Sequence, residues 1–148
     1  PAQGPGAAYS GGECVDWSGQ IVDDGYSVAG NMLAGPQVIA ATADAYRRSH
    51  GRPLAARLLA AMQAGEAAGG DKRGKQSAAL RIQADEDRAE LDLRVDDHAD
   101  PLPELDRLYR VSLERFLPFL ACLPGRHDPV GLTDRVEIEA RIAALRSP

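Results

Sequence analysis

Asn31, Asp71, Arg73, Gln76 and Ser77 are the side chains whose types and neighbours could do chemistry in this sequence. Asn31 lies between Gly30 and the run Met32-Leu33-Ala34-Gly35-Pro36. Its amide can donate to an oxyanion or a substrate carbonyl. It is equally suited to a turn ahead of a helix, because Asn tolerates positive φ. Asp71 and Arg73 sit in the loop Gly69-Gly70-Asp71-Lys72-Arg73-Gly74, whose glycines let backbone N–H groups approach a ligand closely. The pair can hold a polar substrate, or each other across a tight turn. The loop is not a phosphate-binding loop, since it lacks the Gly-Lys-Ser/Thr ending and a following helix. Gln76 and Ser77 open an expected strand, where they can point into a site at a sheet edge or serve strand packing. A serine nucleophile needs a base in space rather than in sequence, and only His50, His98 and His127 are available.

Other clusters have plainer readings. Asp96, Asp97, His98 and Asp100 are metal-ligand types. Adjacent residues of an extended chain point to opposite faces, so they do not all converge. Asp100 before Pro101 suits a helix cap. Cys14 and Trp17 form Cys-x-x-Trp, which lacks the second thiol of a redox motif and reads as buried packing. Cys14 and Cys122 read as free thiols of a cytoplasmic protein. Pro1 has a secondary amine but no hydroxyl or thiol, so it is no acyl-accepting nucleophile. A trimmed or fragmentary start is the expectation there.

The elements that must position these residues follow from periodicity and punctuation. Pro1–Gly6 reads as a loop, Ala7–Tyr9 as a strand remnant and Cys14–Trp17 as a short extended piece. Asp23-Asp24-Gly25 signals a turn before a strand at Tyr26-Ser27-Val28. Gly35-Pro36 opens a helix carrying Val38, Ala41, Ala45 and Tyr46 on one face, with Arg47 and Arg48 in its last turn. A second helix starts near Pro53, with Leu54, Leu58 and Met62 as its stripe, and ends at Gly69-Gly70. Ala78, Leu80 and Ile82 alternate with polar or small residues, as do Leu91, Leu93 and Val95. The charged stretch 84–89 between them makes an antiparallel hairpin with one buried face. A long helix then carries Leu102, Leu105, Leu108, Tyr109, Leu113, Phe116 and Leu120, with Pro118 ending or kinking it. A last helix begins near Thr133 or Asp134, with Asp134 and Glu137 in capping-box spacing. Strands, two helices, a hairpin and further helices make an α+β order rather than regular βαβ alternation.

Composition narrows the function classes. The 148 residues carry a formal net charge of -5 with no basic stripe, which argues against nucleic acid as a partner. No apolar run approaches the roughly 20 residues of a membrane-spanning helix. Aromatics are 5%, so the core rests on Leu, Val, Ile and Ala.

Three stretches resemble domain-of-unknown-function family 1028. They are Cys14-Val15-Asp16-Trp17-Ser18-Gly19-Gln20 continuing into Gly25–Gly35, then Gly69–Leu80, then Asp92–Pro101. Gln20 departs from the pattern, standing where the family is expected to have His. The resemblance implies an N-terminal-nucleophile-hydrolase-like fold, a four-layer αββα sandwich with a mostly antiparallel sheet and packed helices. The chain is expected to hold only the C-terminal part of that domain, in residues 1–120, with residues 121–148 as a helical extension. The implied activity is hydrolysis of a small amide or cyclic amide. In such hydrolases an N-terminal Thr, Ser or Cys attacks, with its own α-amine as base. That nucleophile is expected upstream or on another chain, with Asn31 and Gln76 catalytic and Asp71, Arg73 and Ser77 binding substrate. A non-catalytic ligand-binding or assembly module on the same scaffold is the alternative. No cofactor is expected. The partners are a small-molecule substrate and a strand-donating partner or a second copy, since a half-sheet leaves an unpaired edge.

Overall fold

The computed structural model describes residues 6–146. Pro1 and the rest of the opening up to Pro5 therefore lie outside the described residues. The chain divides into two compact units, residues 1–76 and 77–148.

The first unit is a hairpin backed by two helices. Strands β1 (Gly19–Asp23) and β2 (Tyr26–Gly30) pair antiparallel, with Ile21 opposite Val28 and Asp23 opposite Tyr26. The register leaves Asp24-Gly25 as a two-residue turn, a favoured hairpin connection. Strand β1 was not expected. The extended conformation anticipated at Cys14–Trp17 begins instead at Gly19, and Ala7–Tyr9 forms no strand. Cys14–Trp17 uses its carbonyls on another loop rather than on a strand, as described below.

Helices α1 (Pro36–Arg48) and α2 (Leu54–Ala67) pack on each other, and α1 also packs on the hairpin. Pro36 occupies the first turn of α1, where its missing N–H costs nothing. The buried positions of α1 are Val38, Ile39 and Ala43; of the expected face Val38, Ala41, Ala45 and Tyr46, Val38 is buried and the other three are half-buried. Helix α2 differs more. Leu54 is 45% exposed and Leu58 and Met62 are half-buried, while Ala55, Leu59, Ala61 and Gly65 are buried. Three of the four buried positions of α2 are Ala or Gly and the fourth is Leu59, so Leu54, Leu58 and Met62 do not mark the contact face. At Gly65 an added Cβ would lie 2.3 Å from Thr42 Oγ1, which itself donates to the Val38 carbonyl at 2.8 Å.

The second unit is a second hairpin with three helices. Strands β3 (Ala78–Ile82) and β4 (Leu91–Val95) pair antiparallel with Leu80 opposite Leu93. Leu80, Leu91 and Val95 are buried while Ala79, Arg81, Asp92 and Arg94 face outward, as the alternation requires. Helix α3 (Pro101–Glu114) covers the apolar face with Leu102, Leu105 and Tyr109. It stops at Glu114, and a short helix α4 (Phe116–Leu120) follows. The physical cause is Pro118, whose ring would clash with the Glu114 carbonyl in a continuous helix. In the third position of α4 its missing N–H has no partner to lose. Helix α3 itself turns Ser112 rather than Leu113 inward, and the restart resets the phase beyond it, so Leu113 and Phe116 are 45% and 48% exposed rather than part of the stripe. Ser112 Oγ is satisfied by the Tyr109 carbonyl at 2.7 Å.

Helix α5 (Arg135–Arg146) packs on α4 and buries Ile142. Asp134 caps it as expected, accepting from the Val136 and Glu137 amides at 2.8 and 3.0 Å. Cys14 is half-buried and Cys122 is buried, and both are free thiols. No helix of the described residues is long and apolar enough to cross a membrane.

The close approach of α1 and α2 is tested at Gly65. Alanine has the higher helix propensity, yet Gly65→Ala is expected to destabilise the protein by about 1–3 kcal/mol through overpacking. Thr42→Ala in the same chain should recover most of that loss, as non-additive changes in the denaturant midpoint.

Candidate functional site

Helix α2 ends in a way that aims the Gly69–Gly74 loop. The Gly69 amide donates to the Glu66 carbonyl at 3.0 Å and the Gly70 amide to the Gly65 carbonyl at 3.1 Å, the paired bonds of a Schellman motif. That ending requires positive φ, and Gly69 and Gly70 adopt 123° and 52°. At Gly69 space forbids a side chain as well, since a Cβ would lie 2.7 Å from Ala34 Cβ. At Gly70 a Cβ would displace the Glu66 carboxylate.

Released there, the chain pairs with the segment after β2. The Ala34 amide donates to the Gly70 carbonyl and the Lys72 amide to the Met32 carbonyl, both at 2.9 Å. Leu33 and Asp71 form the antiparallel bridge between these two bonds. On its other side the same segment takes up Cys14–Trp17. The Met32 amide donates to the Val15 carbonyl at 3.1 Å and the Leu33 amide to the Trp17 carbonyl at 3.0 Å. Met32 is a non-glycine residue at φ 56°. This left-handed kink is uncommon for an L-residue outside Asn, Asp and Gly. Lys72 Nζ closes the cluster by donating to the Asp16 carbonyl.

Three loops thus meet in one place, 14–17, 31–34 and 69–74. Asn31 is exposed, and its side chain has no hydrogen-bond partner among the described residues. Asp71 and Arg73 form a fork. Arg73 donates from Nε to Asp71 Oδ1 at 3.0 Å and from Nη2 to Oδ2 at 2.6 Å, and its backbone amide adds a bond to Oδ1 at 2.8 Å. The guanidinium, then the backbone amide, hold the Asp71 carboxyl down to about 2, and the carboxylate raises the Arg73 guanidinium in turn. Lys75 pairs with Glu66 at 3.2 Å and ties the loop's far end to α2. The arrangement offers an exposed carboxamide beside a pre-formed ion pair, a set suited to orienting an uncharged amide by hydrogen bonds.

Gln76 is the last residue of the first unit and is exposed, whereas Ser77 opens the second unit. Ser77 is exposed there and lines a concavity of ≈ 560 Å³ on the outer face of the β3–β4 hairpin, with Arg81, Asp92 and Arg94. Gln20 does not enter the loop cluster. It lies on the exposed face of β1, where its Nε2 donates to the Ala8 carbonyl at 3.0 Å and its Oε1 accepts from Ser10 at 3.1 Å. Trp17 and Cys14 are half-buried rather than buried. The Asp96–Asp100 stretch folds on itself: Asp96 pairs with Arg94 at 2.8 Å, and His98 Nδ1 accepts from the Asp100 amide at 2.9 Å. Asp100 stands at the α3 N-cap without a side-chain capping bond. Among the described residues no three His, Cys, Asp or Glu side chains are grouped to hold a metal. Lys72 and Met32 were not singled out from the sequence. Their roles come from a backbone pairing between loops about 40 residues apart, which leaves no local pattern.

The sequence segments that meet here are those of a recognised family. The model of the "Family of unknown function (DUF1028)" matches residues 1–105. The chain belongs to this family. A second DUF1028 protein, from Silicibacter pomeroyi, has a crystal structure similar to this chain, with 30% sequence identity and a TM-score of 0.73. The similarity covers 87% of this chain and 55% of that one, so this DUF1028 chain spans about half the length of its structural relative. None of the curated proteins matches the chain.

The Asp71–Arg73 fork makes a pH prediction. A depressed folded-state value contributes stability above the ordinary carboxylate range and loses it as pH falls from about 3.8 toward about 2. Carbon-detected titration of the Asp71 carboxyl should give a midpoint well below 3.8, and Arg73→Ala should move it upward toward that value. A midpoint at the ordinary value in the native chain would mean that the fork does not form.

Proposed function

We propose that this chain is the C-terminal portion of an N-terminal-nucleophile-type amidohydrolase, built on an αββα scaffold and acting on a small amide or cyclic amide. One observation supports the reading above others. Backbone hydrogen bonds gather the first two family motifs at one place, around the exposed carboxamide of Asn31. In this reading Asn31 donates to the oxyanion that develops when the amide carbonyl is attacked. Asp71 and Arg73 orient the substrate's N–H and C=O groups, the fork keeping both charged groups in a fixed geometry. Gln76 supplies a further polar contact from the end of the first unit.

The attacking Thr, Ser or Cys comes from a segment upstream of Pro1 or from another chain, and its α-amine takes the proton. The same completing segment, or a second copy, supplies strands to the β3–β4 hairpin. A two-stranded hairpin is marginal by itself, and its outward face carries Arg81, Asp92 and Arg94 around an open concavity. The alternative is a non-catalytic binding module on the same scaffold. It is favoured by the fact that the Asp71 and Arg73 charges already satisfy each other.

The experiment uses the protein with the coding sequence that precedes Pro1 restored. Intact-mass analysis and N-terminal sequencing should show cleavage that exposes a Thr, Ser or Cys. Hydrolysis of small linear and cyclic amides should then fall about 100- to 1000-fold in kcat on Asn31→Ala. Absence of any such exposed residue, together with Asn31-dependent binding of the same amides without turnover, selects the binding module instead.

A further inference from the structure

The far end of the first unit holds a concavity that the loop cluster does not use. It lies at the turn of the β1–β2 hairpin, against the C-terminus of α1 and the first turn of α2, and measures ≈ 530 Å³. That is within the size range of small-molecule sites. Strand β2 and helix α1 each run from the loop cluster to this end, so the two places sit at opposite ends of the same elements.

Its wall is built from Tyr26, Tyr46 and Arg57. The tyrosine rings pack with centroids 4.8 Å apart, and the Arg57 guanidinium stacks on the Tyr46 face, 3.9 Å from the ring centroid. A guanidinium has five N–H donors. One, from Nη2, reaches the Tyr46 carbonyl at 3.4 Å and helps to close the end of α1. Arg57 Nε is buried without a hydrogen-bond partner, and among the described residues no carboxylate lies within 4.0 Å of the Arg57 guanidinium. A buried N–H without an acceptor is costly, because it has lost water and gained no partner.

The carboxylate that lines the site is already engaged. Asp23 accepts from the Tyr26 hydroxyl at 2.8 Å and from the Asp24 amide at 2.8 Å, and lies 3.5 Å from Arg47 Nη1. The Asp24 amide, the Tyr26 hydroxyl and Arg47 hold its carboxyl below the ordinary range, so its charge is met by these partners rather than by Arg57. Arg47 is 54% exposed and only loosely paired, which leaves a second guanidinium free to turn toward a ligand, and His50 adds an imidazole. Asp24 is exposed at the rim, where solvent screens it.

We infer that this concavity binds a small organic carboxylate, held by Arg57 against the Tyr46 ring with Arg47 as the second cation. A carboxylate matches the fork of a guanidinium, while the flat tyrosine walls suit an apolar or aromatic body.

Benzoate is the probe, with benzamide as its uncharged counterpart and inorganic phosphate as a competing anion. Titrated into the 148-residue chain, benzoate should shift the Arg57 Nε–H resonance and the amides of Tyr26 and His50 saturably, with Kd of about 1 mM or tighter. Benzamide should bind at least about tenfold more weakly. Arg57→Gln should abolish the shifts at Tyr26 and His50. Because Arg57 also supports the end of α1, Arg47→Gln is the second variant. Its exposed side chain leaves the fold intact, and affinity should drop roughly three- to tenfold. No saturable shift, equal binding of benzamide, or tighter binding of phosphate than of benzoate would each overturn the assignment.

Discussion

The short backbone ladder through Met32, Leu33 and Ala34 is the constraint on which the rest of the candidate site depends. It is bonded on one side to Val15 and Trp17 and on the other to Gly70 and Lys72. These bonds join residues 16 to 40 apart in sequence, none of which belongs to a regular strand at that point. Buried backbone N–H and C=O groups must find partners, and here each loop is the others' partner. The side chains that the ladder carries are therefore placed by main-chain geometry rather than by side-chain packing. That is why a left-handed Met32 and the glycine pair at the end of α2 are tolerated together.

Seen from this ladder, the two-helix layer has one task. Helix α1 begins two residues after Ala34 and α2 ends three residues before Gly70, so the α1–α2 contact fixes the ladder's two main contributors relative to each other. The contact is close at Gly65, which faces Thr42 and Val38 with no room for a Cβ. Small residues leave little freedom to slide, as interiors packed at crystal-like density transmit displacement rather than absorb it. A change at Gly65 should thus be felt at Gly70, one Schellman turn away. The β1–β2 hairpin extends the same frame in the other direction and ends in the Tyr26, Tyr46 and Arg57 cluster.

Much of this was legible from sequence where periodicity and punctuation coincide. The β3–β4 hairpin follows from period-two alternation flanking a charged loop. The start of α1 follows from Gly35-Pro36, the end of α2 from Gly69-Gly70, and the cap of α5 from Asp134. The readings that changed share a physical cause. The face of α2 was assigned to Leu54, Leu58 and Met62 because large residues usually mark the core, whereas this contact selects for small ones. The stripe of α3 reads through to Leu120 in the sequence, and the break after Glu114 resets the phase beyond it. Strand β1 was passed over because only Ile21 and Val22 are strongly strand-forming in it. In the candidate site, Asn31, Asp71 and Arg73 were readable by type and loop context, and the Asp71–Arg73 pairing was one of the two readings offered. Lys72 and Met32 were not, since a bridge between distant loops has no sequence period.

The central claim is that the three loops form one cooperative unit through their main chains. Hydrogen–deuterium exchange resolved to single amides tests it directly. The amides of Met32, Leu33, Ala34 and Lys72 should be protected together and should lose protection together when Gly70→Ala disrupts the turn that delivers Lys72. Exchange of these four amides at the rate of open loops, in a chain whose helices α1 and α2 remain protected, would contradict the account.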